Sequence, residues 1–136
     1  PVLAHYALPG YASIAEVALR AAQDGSRDRW LIKVACRGLL RFRIAFPFAR
    51  AQAQLWRGVR AALRGRSRRA VRLWRDGLKV AEELGMAHES GLLRLELARR
   101  GEPSKRDENR ARAIDILDSA GAAFDAARAR ELDLRP

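Results

Sequence analysis

The sequence predicts an all-α protein built from paired helices. Three observations carry that prediction. Threonine is absent and no stretch alternates apolar and polar residues as a half-buried strand does. Alanine, leucine and arginine, all strong helix formers, dominate the composition. Glycines that close helical stretches recur at a fixed distance: Gly65 to Gly101 and Gly85 to Gly121 are both 36 residues apart.

Each element follows from local signals. A first helix is expected over about 11–23, closed by Gly25, and a second over about 28–46, opened by Asp28 and stopped by Pro47. Pro47 suits the first turn of a third helix, which ends before Gly65. Its apolar residues Phe48, Ala51, Leu55, Val59 and Ala62 step by three or four along one face. Ser67 is the expected N-cap of a fourth helix, with Val71, Trp74, Leu78, Ala81 and Leu84 on its buried face and Gly85 as a left-handed stop. A fifth helix covers about 87–100. A polar connection containing Pro103 leads to a sixth over about 107–120, stopped by Gly121. A terminal helix covers about 123–132.

The offset of 36 also pairs Ala62 with Ala98, Leu78 with Ile114, and Ala81 with Leu117. One unit is therefore two helices and two short turns, giving hairpins at about 11–46, 47–84 and 87–120. A period of this length is the mark of a helical-hairpin solenoid, in which stacked neighbours supply the core that one hairpin lacks. The 136 residues are expected to form one such domain. The chain opens on Pro1 rather than methionine and is read as a piece of a longer protein.

Within the second unit, Gly58 takes a close-packing site, Ala70 follows twelve residues later, Trp74 supplies a large aromatic, and Gly77 supplies a second small site. This pattern resembles a tetratricopeptide repeat. It departs from that repeat at Gln54, where a tryptophan is usual; Trp56 stands two residues late, and the following unit has Arg110 in place of Trp74. A wider resemblance rests on GYASIAEVAL, RFRIAFPFARAQAQLWRG, GRSRRAVRLWRDGLKVAEELGM, LLRLELAR and IDILDSAGAAFDAARAREL. In that order they are similar to the C-terminal helical region of large bacterial multidomain signalling proteins. Those proteins carry an AAA-type or signal-transduction ATPase, often with a nucleotide cyclase or protein kinase. The resemblance implies a regulatory or scaffold segment and brings no active-site residue with it.

Catalytic signals are weak. Neither a phosphate-binding glycine loop nor a dinucleotide fingerprint occurs. His88-Glu89 begins like a zinc-protease helix, but Leu92 stands where the second histidine would be. His5, His88 and Cys36 are too scattered for a tetrahedral metal site, and Cys36 reads as a small core residue. Asp115 with Asp118, and Glu82 with Glu83, read as solvated helix faces, and Trp30, Trp56 and Trp74 as packing residues. No enzyme, cofactor or metal is expected. One cysteine precludes an internal disulfide, and no apolar run approaches the roughly 20 residues that span a bilayer, so a cytoplasmic setting without a membrane partner is expected.

Charge layout is the strongest signal. The formal net charge is +11. Fourteen basic residues and no acid lie between Arg29 and Arg75, whereas from Asp76 onward eleven basic residues face thirteen acidic ones. Arg29, Lys33, Arg37 and Arg41 form a stripe on the second predicted helix; Arg57, Arg60 and Arg64 line the third; Arg68, Arg72, Arg75 and Lys79 line the fourth. The expected site is therefore a basic surface of Arg37, Arg41, Arg57, Arg60, Arg64, Arg68 and Arg72 that attracts an acidic protein partner or sister domain. The inner surface beside it would be lined by the first helix of each hairpin. Nucleic-acid phosphate is the alternative ligand.

Overall fold

The computed structural model describes residues 47–132 together with Ser13, Val17, Arg20, Trp30, Val34 and Arg37, and those six residues are all helical. The described residues contain no strand. Five α-helices follow one another: α1 (Pro47–Leu63), α2 (Ser67–Glu83), α3 (Ala87–Arg100), α4 (Arg106–Ser119) and α5 (Ala123–Arg130). A 3₁₀ turn, Pro103–Lys105, precedes α4. These are the third to seventh helices expected from the sequence. The first two expected helices lie outside the described residues apart from the six named.

The glycine stops work as anticipated at three of the four positions. Gly65, Gly85 and Gly121 have φ of 71°, 64° and 71°, a region that residues with a Cβ rarely enter. At each the chain closes the same pair of bonds. The amide of the residue after the glycine reaches the carbonyl five back, as in Arg66 to Ala61 at 2.9 Å, Met86 to Ala81 at 2.8 Å and Ala122 to Leu117 at 2.8 Å. The glycine amide reaches the carbonyl three back. This double closure satisfies the last helical carbonyls and turns the chain back within three residues. Gly101 differs: its backbone is extended, at φ −81° and ψ −163°, and the chain runs on through Pro103 before α4 begins. The α3–α4 connection is longer for that reason. The expected N-cap Ser67 is instead the first helical residue, and Arg66 holds the cap position without a side-chain bond.

Each helix packs against the next, and α1 also packs against α3. Small residues set these approaches. A Cβ placed on Gly58 would lie 2.1 Å from Nε1 of Trp74, so the indole rests directly on the α1 backbone. Trp74 is fully buried, and its Nε1–H donates to the Leu55 carbonyl at 3.1 Å. Burying a side chain of this size contributes roughly 4–6 kcal/mol of transfer free energy. Gly77 takes the Cβ of Gln54 and the methyls of Leu93 in the same way, and Ala70 is fully buried beside them. The four expected packing residues, Gly58, Ala70, Trp74 and Gly77, thus all lie in the core. The following hairpin makes a comparable contact with different residues: Gly91 of α3 lies against Leu117 of α4. At the 36-residue offset these positions correspond to Leu55 and Ala81, so the larger residue stands on the other helix of the pair.

Burial separates the helices into two kinds. In α2 it is one-sided: Ala70, Leu73, Trp74, Gly77 and Ala81 are buried, and Val71 and Leu78 only partly so. The buried stripe is therefore turned from the expected one, away from Leu84, which is exposed. The two glycine contacts pull α2 into that phase. In α1 and α3 burial covers more of the helix, leaving in α1 a face with Arg50 exposed and Arg57 and Arg60 half-buried. Ala49, Ala53 and Trp56 are buried as well as the expected Ala51, Leu55, Val59 and Ala62, and from Ser90 to Ala98 only Arg94 is partly exposed.

Candidate functional site

The C-terminal half of α1 and the start of α2 meet at the turn over residues 64–66. Arg57, Arg60 and Arg64 are spaced three and four along α1 and its end, so they share one face. Arg66 and Arg69 come from the start of α2. These five arginines line one groove of about 90 Å³ whose apolar floor is Ala61 and Leu73. Among the described residues, no acidic or aromatic side chain lines it.

Arg57 Nη1 donates to Gln54 Oε1 at 3.0 Å, which orients its guanidinium at the inner end. Among the described residues Arg60, Arg64, Arg66 and Arg69 form no ion pair. The first turn of α2 holds no acid and its cap position supplies no side-chain acceptor, so the positive end of the helix dipole adds to the same field. The next hairpin is different. At the 36-residue offset, Arg57, Arg60, Arg64, Arg66 and Arg69 become Leu93, Glu96, Arg100, Glu102 and Lys105. There Glu96 pairs with Arg99 at 3.2 Å, and Glu102 lies 3.2 Å from Arg75 and 4.0 Å from Lys105. In the groove, by contrast, Arg60, Arg64, Arg66 and Arg69 face no paired acid among the described residues.

Of the seven arginines expected from the sequence, Arg57, Arg60 and Arg64 come together in the groove. Arg68 and Arg72 are exposed and do not line it. Arg37 is helical, exposed and likewise not part of the lining, and Arg41 lies outside the described residues. Arg66 and Arg69 take the places that Arg68 and Arg72 were expected to hold. The signal for them is their step of three toward Leu73, which counts along the buried side of α2.

Of the first predicted helix, which was expected to line the inner surface with α1 and α3, only Ser13, Val17 and Arg20 are described. Arg20 shares a narrow cleft with Trp56 of α1, Leu92, Leu95 and Glu96 of α3, and Arg128 of α5. Trp56, Leu92, Leu95 and Glu96 are all buried. Beside this cleft Arg20 Nη2 donates to Asp125 Oδ1 at 2.8 Å, and His88 Nε2 lies 3.3 Å from Asp125 Oδ2. Arg20 and Arg128 also stand over the Phe124 ring, at 5.6 Å and 5.9 Å from its centre. Burial by itself would raise the pKa of Asp125. The bonds from His88 and Arg20, with the charge on Arg20, outweigh it and hold the carboxyl down to about 2. Burial, with the charges of Arg20 and Arg99, lowers the pKa of Arg128 from its ordinary value.

The remaining candidates fall into structural roles. His88 is partly exposed and tied to Asp125. Asp115 and Glu83 are exposed; Asp118 pairs with Arg130, and Glu82 with Arg94. Arg110, which takes the place of Trp74 in the next hairpin, turns forward: its Nε donates to the Ala129 carbonyl at 2.9 Å and its Nη2 to that of Arg130. It caps the end of α5, as a cation there does well. Trp30 is exposed, whereas Trp56 and Trp74 are core. Cys36 and His5 lie outside the described residues. No group of three or more metal-ligating side chains occurs among the described residues, and no described helix is long and apolar enough to cross a membrane. Comparison with protein-family models, with curated proteins and with solved structures returned no match.

Proposed function

We propose that this chain is a non-catalytic, tetratricopeptide-like segment that docks an acidic protein surface, such as a sister domain of a bacterial signalling protein. The observation that carries the reading is the arginine groove between α1 and α2, with five arginines, no acid among the described lining residues, and two acids, Glu96 and Glu102, at the matching positions of the next hairpin. The repeated glycine turns and the Gly58–Trp74 contact support the hairpin-stack part of the reading. Docking falls to the outer surface of α1 and α2, where Arg57 and Arg60 are half-buried and Arg64, Arg66 and Arg69 are exposed. Steering by such a field raises the rate of encounter with an acidic partner more than it raises raw affinity.

A second reading, nucleic-acid phosphate as the ligand, is favoured by Arg68 and Arg72, which carry the positive face past the groove. One titration separates the two. A fluorescent glutamate-rich peptide and a random DNA duplex are each added to the chain at two salt concentrations. The docking reading expects the peptide to bind and the charge reversal Arg57→Glu, Arg60→Glu, Arg64→Glu to abolish that binding without loss of helicity by circular dichroism. Peptide affinity that survives the triple reversal overturns it. Tighter duplex binding, falling steeply and linearly in log salt, selects the second reading.

A further inference from the structure

We propose that the α1–α2 groove is a site for one phosphate monoester, carried on a phosphorylated side chain of the docked protein. The inference rests on the docking reading and narrows it from acidic surfaces in general to one modified residue. Three features point to a discrete oxyanion. Arg57, Arg60, Arg64, Arg66 and Arg69 line a single open volume of about 90 Å³ rather than following a track along the surface. The floor is Ala61 and Leu73, and no aromatic side chain among the described lining residues offers a base a stacking platform. Four of the five cations have no acid paired with them among the described residues, and Arg60 is only partly exposed.

Charge then chooses among oxyanions. A carboxylate brings one negative charge and two acceptor atoms. A phosphate monoester brings nearly two charges at neutral pH and three strong acceptor oxygens. Five planar forks offer more donors than one carboxylate can accept, and they match the phosphate group. The start of α2, free of acids and of a side-chain cap, lies at the rim and favours the same ligand. A phosphodiester in a nucleic acid carries a single charge per phosphate and would leave most of this charge unmatched.

The test compares three versions of one short peptide by fluorescence anisotropy against the full chain: serine, phosphoserine and glutamate at the same position. A random duplex is titrated in parallel. The phosphoserine peptide is expected to bind about tenfold or more tighter than the glutamate version, the difference of a charge-assisted bond or two. Arg60→Gln with Arg69→Gln removes that advantage, and Arg72→Gln, outside the groove, leaves it unchanged. Inorganic phosphate competes with the phosphopeptide and raises the melting temperature of the wild type more than that of the double variant. If the glutamate and phosphoserine peptides bind alike and both depend on the groove, the phosphate site is overturned while acidic docking stands. If neither peptide binds, both fall. Equal loss with Arg72→Gln, or duplex binding that outcompetes the phosphopeptide in the groove, also overturns the proposal.

Discussion

The contact between Gly58 and Trp74 is the joint on which the α1–α2 hairpin turns, and replacing Gly58 with alanine tests it. The new methyl would start 2.1, 2.5 and 2.7 Å from Nε1, Cδ1 and Cε2 of Trp74. Carbon atoms pack at about 3.5–4.0 Å, so the indole must retreat by an ångström or more. It has no room, being fully buried and tied to the Leu55 carbonyl. Overpacking costs ~1–3 kcal/mol. If the indole moves, its donor and the carbonyl lose each other inside the core, which costs another ~1–3 kcal/mol. Alanine returns ~1 kcal/mol through its better helix propensity. The net expectation is a loss of about 3 kcal/mol, or about 10 °C in melting temperature for a chain of this size. The assay is urea unfolding of the wild type, Gly58→Ala, Trp74→Phe and the double variant. Trp74→Phe alone opens a cavity that the alanine methyl then partly fills. The double variant is therefore expected to be more stable than the sum of the single effects by ~1–2 kcal/mol. Additivity within ~0.5 kcal/mol, or a Gly58→Ala protein that melts with the wild type, would refute the contact as the determinant of this packing.

Two further perturbations reach the far end of the chain. Asp125 has its pKa lowered from 3.8 to about 2, so its ionised form stabilises the fold above pH 4 and that stabilisation fades as pH falls from 4 to 2. The gap corresponds to roughly 2 kcal/mol at neutral pH, and Asp125→Asn should flatten the acid limb of stability measured by urea titration between pH 2 and 5; an unchanged slope would count against the network with Arg20 and His88. Arg110→Ala should free the carbonyls of Ala129 and Arg130 and speed amide exchange in α5 about tenfold, the equivalent of one lost charge-assisted bond, while exchange in α1 stays as it was. Equal exchange in α5 of both proteins would show that the cap contributes nothing.

Local sequence signals suffice for the five helices over 47–132 and for most of their ends. Pro47, Gly65, Gly85 and Gly121 act through backbone sterics within a few residues, and those constraints hold whatever the neighbours do. Gly58, Ala70, Trp74 and Gly77 stood out through the resemblance of their order to a tetratricopeptide repeat, whereas helical spacing alone favoured Val71, Leu78 and Leu84 in α2. What the tertiary structure decided is phase and partnership. Two glycine contacts turn α2 so that Arg66 and Arg69, not Arg68 and Arg72, join the groove. Arg110 stands where Trp74 stands in the hairpin before it, yet it bonds forward to α5 instead of filling the hairpin. Arg20 meets Asp125 across 105 residues of sequence, beside buried residues of α1 and α3. Such pairings depend on how far each helix is rotated against its neighbour, and that rotation is set by interlocking side chains from separate parts of the chain rather than by any one segment.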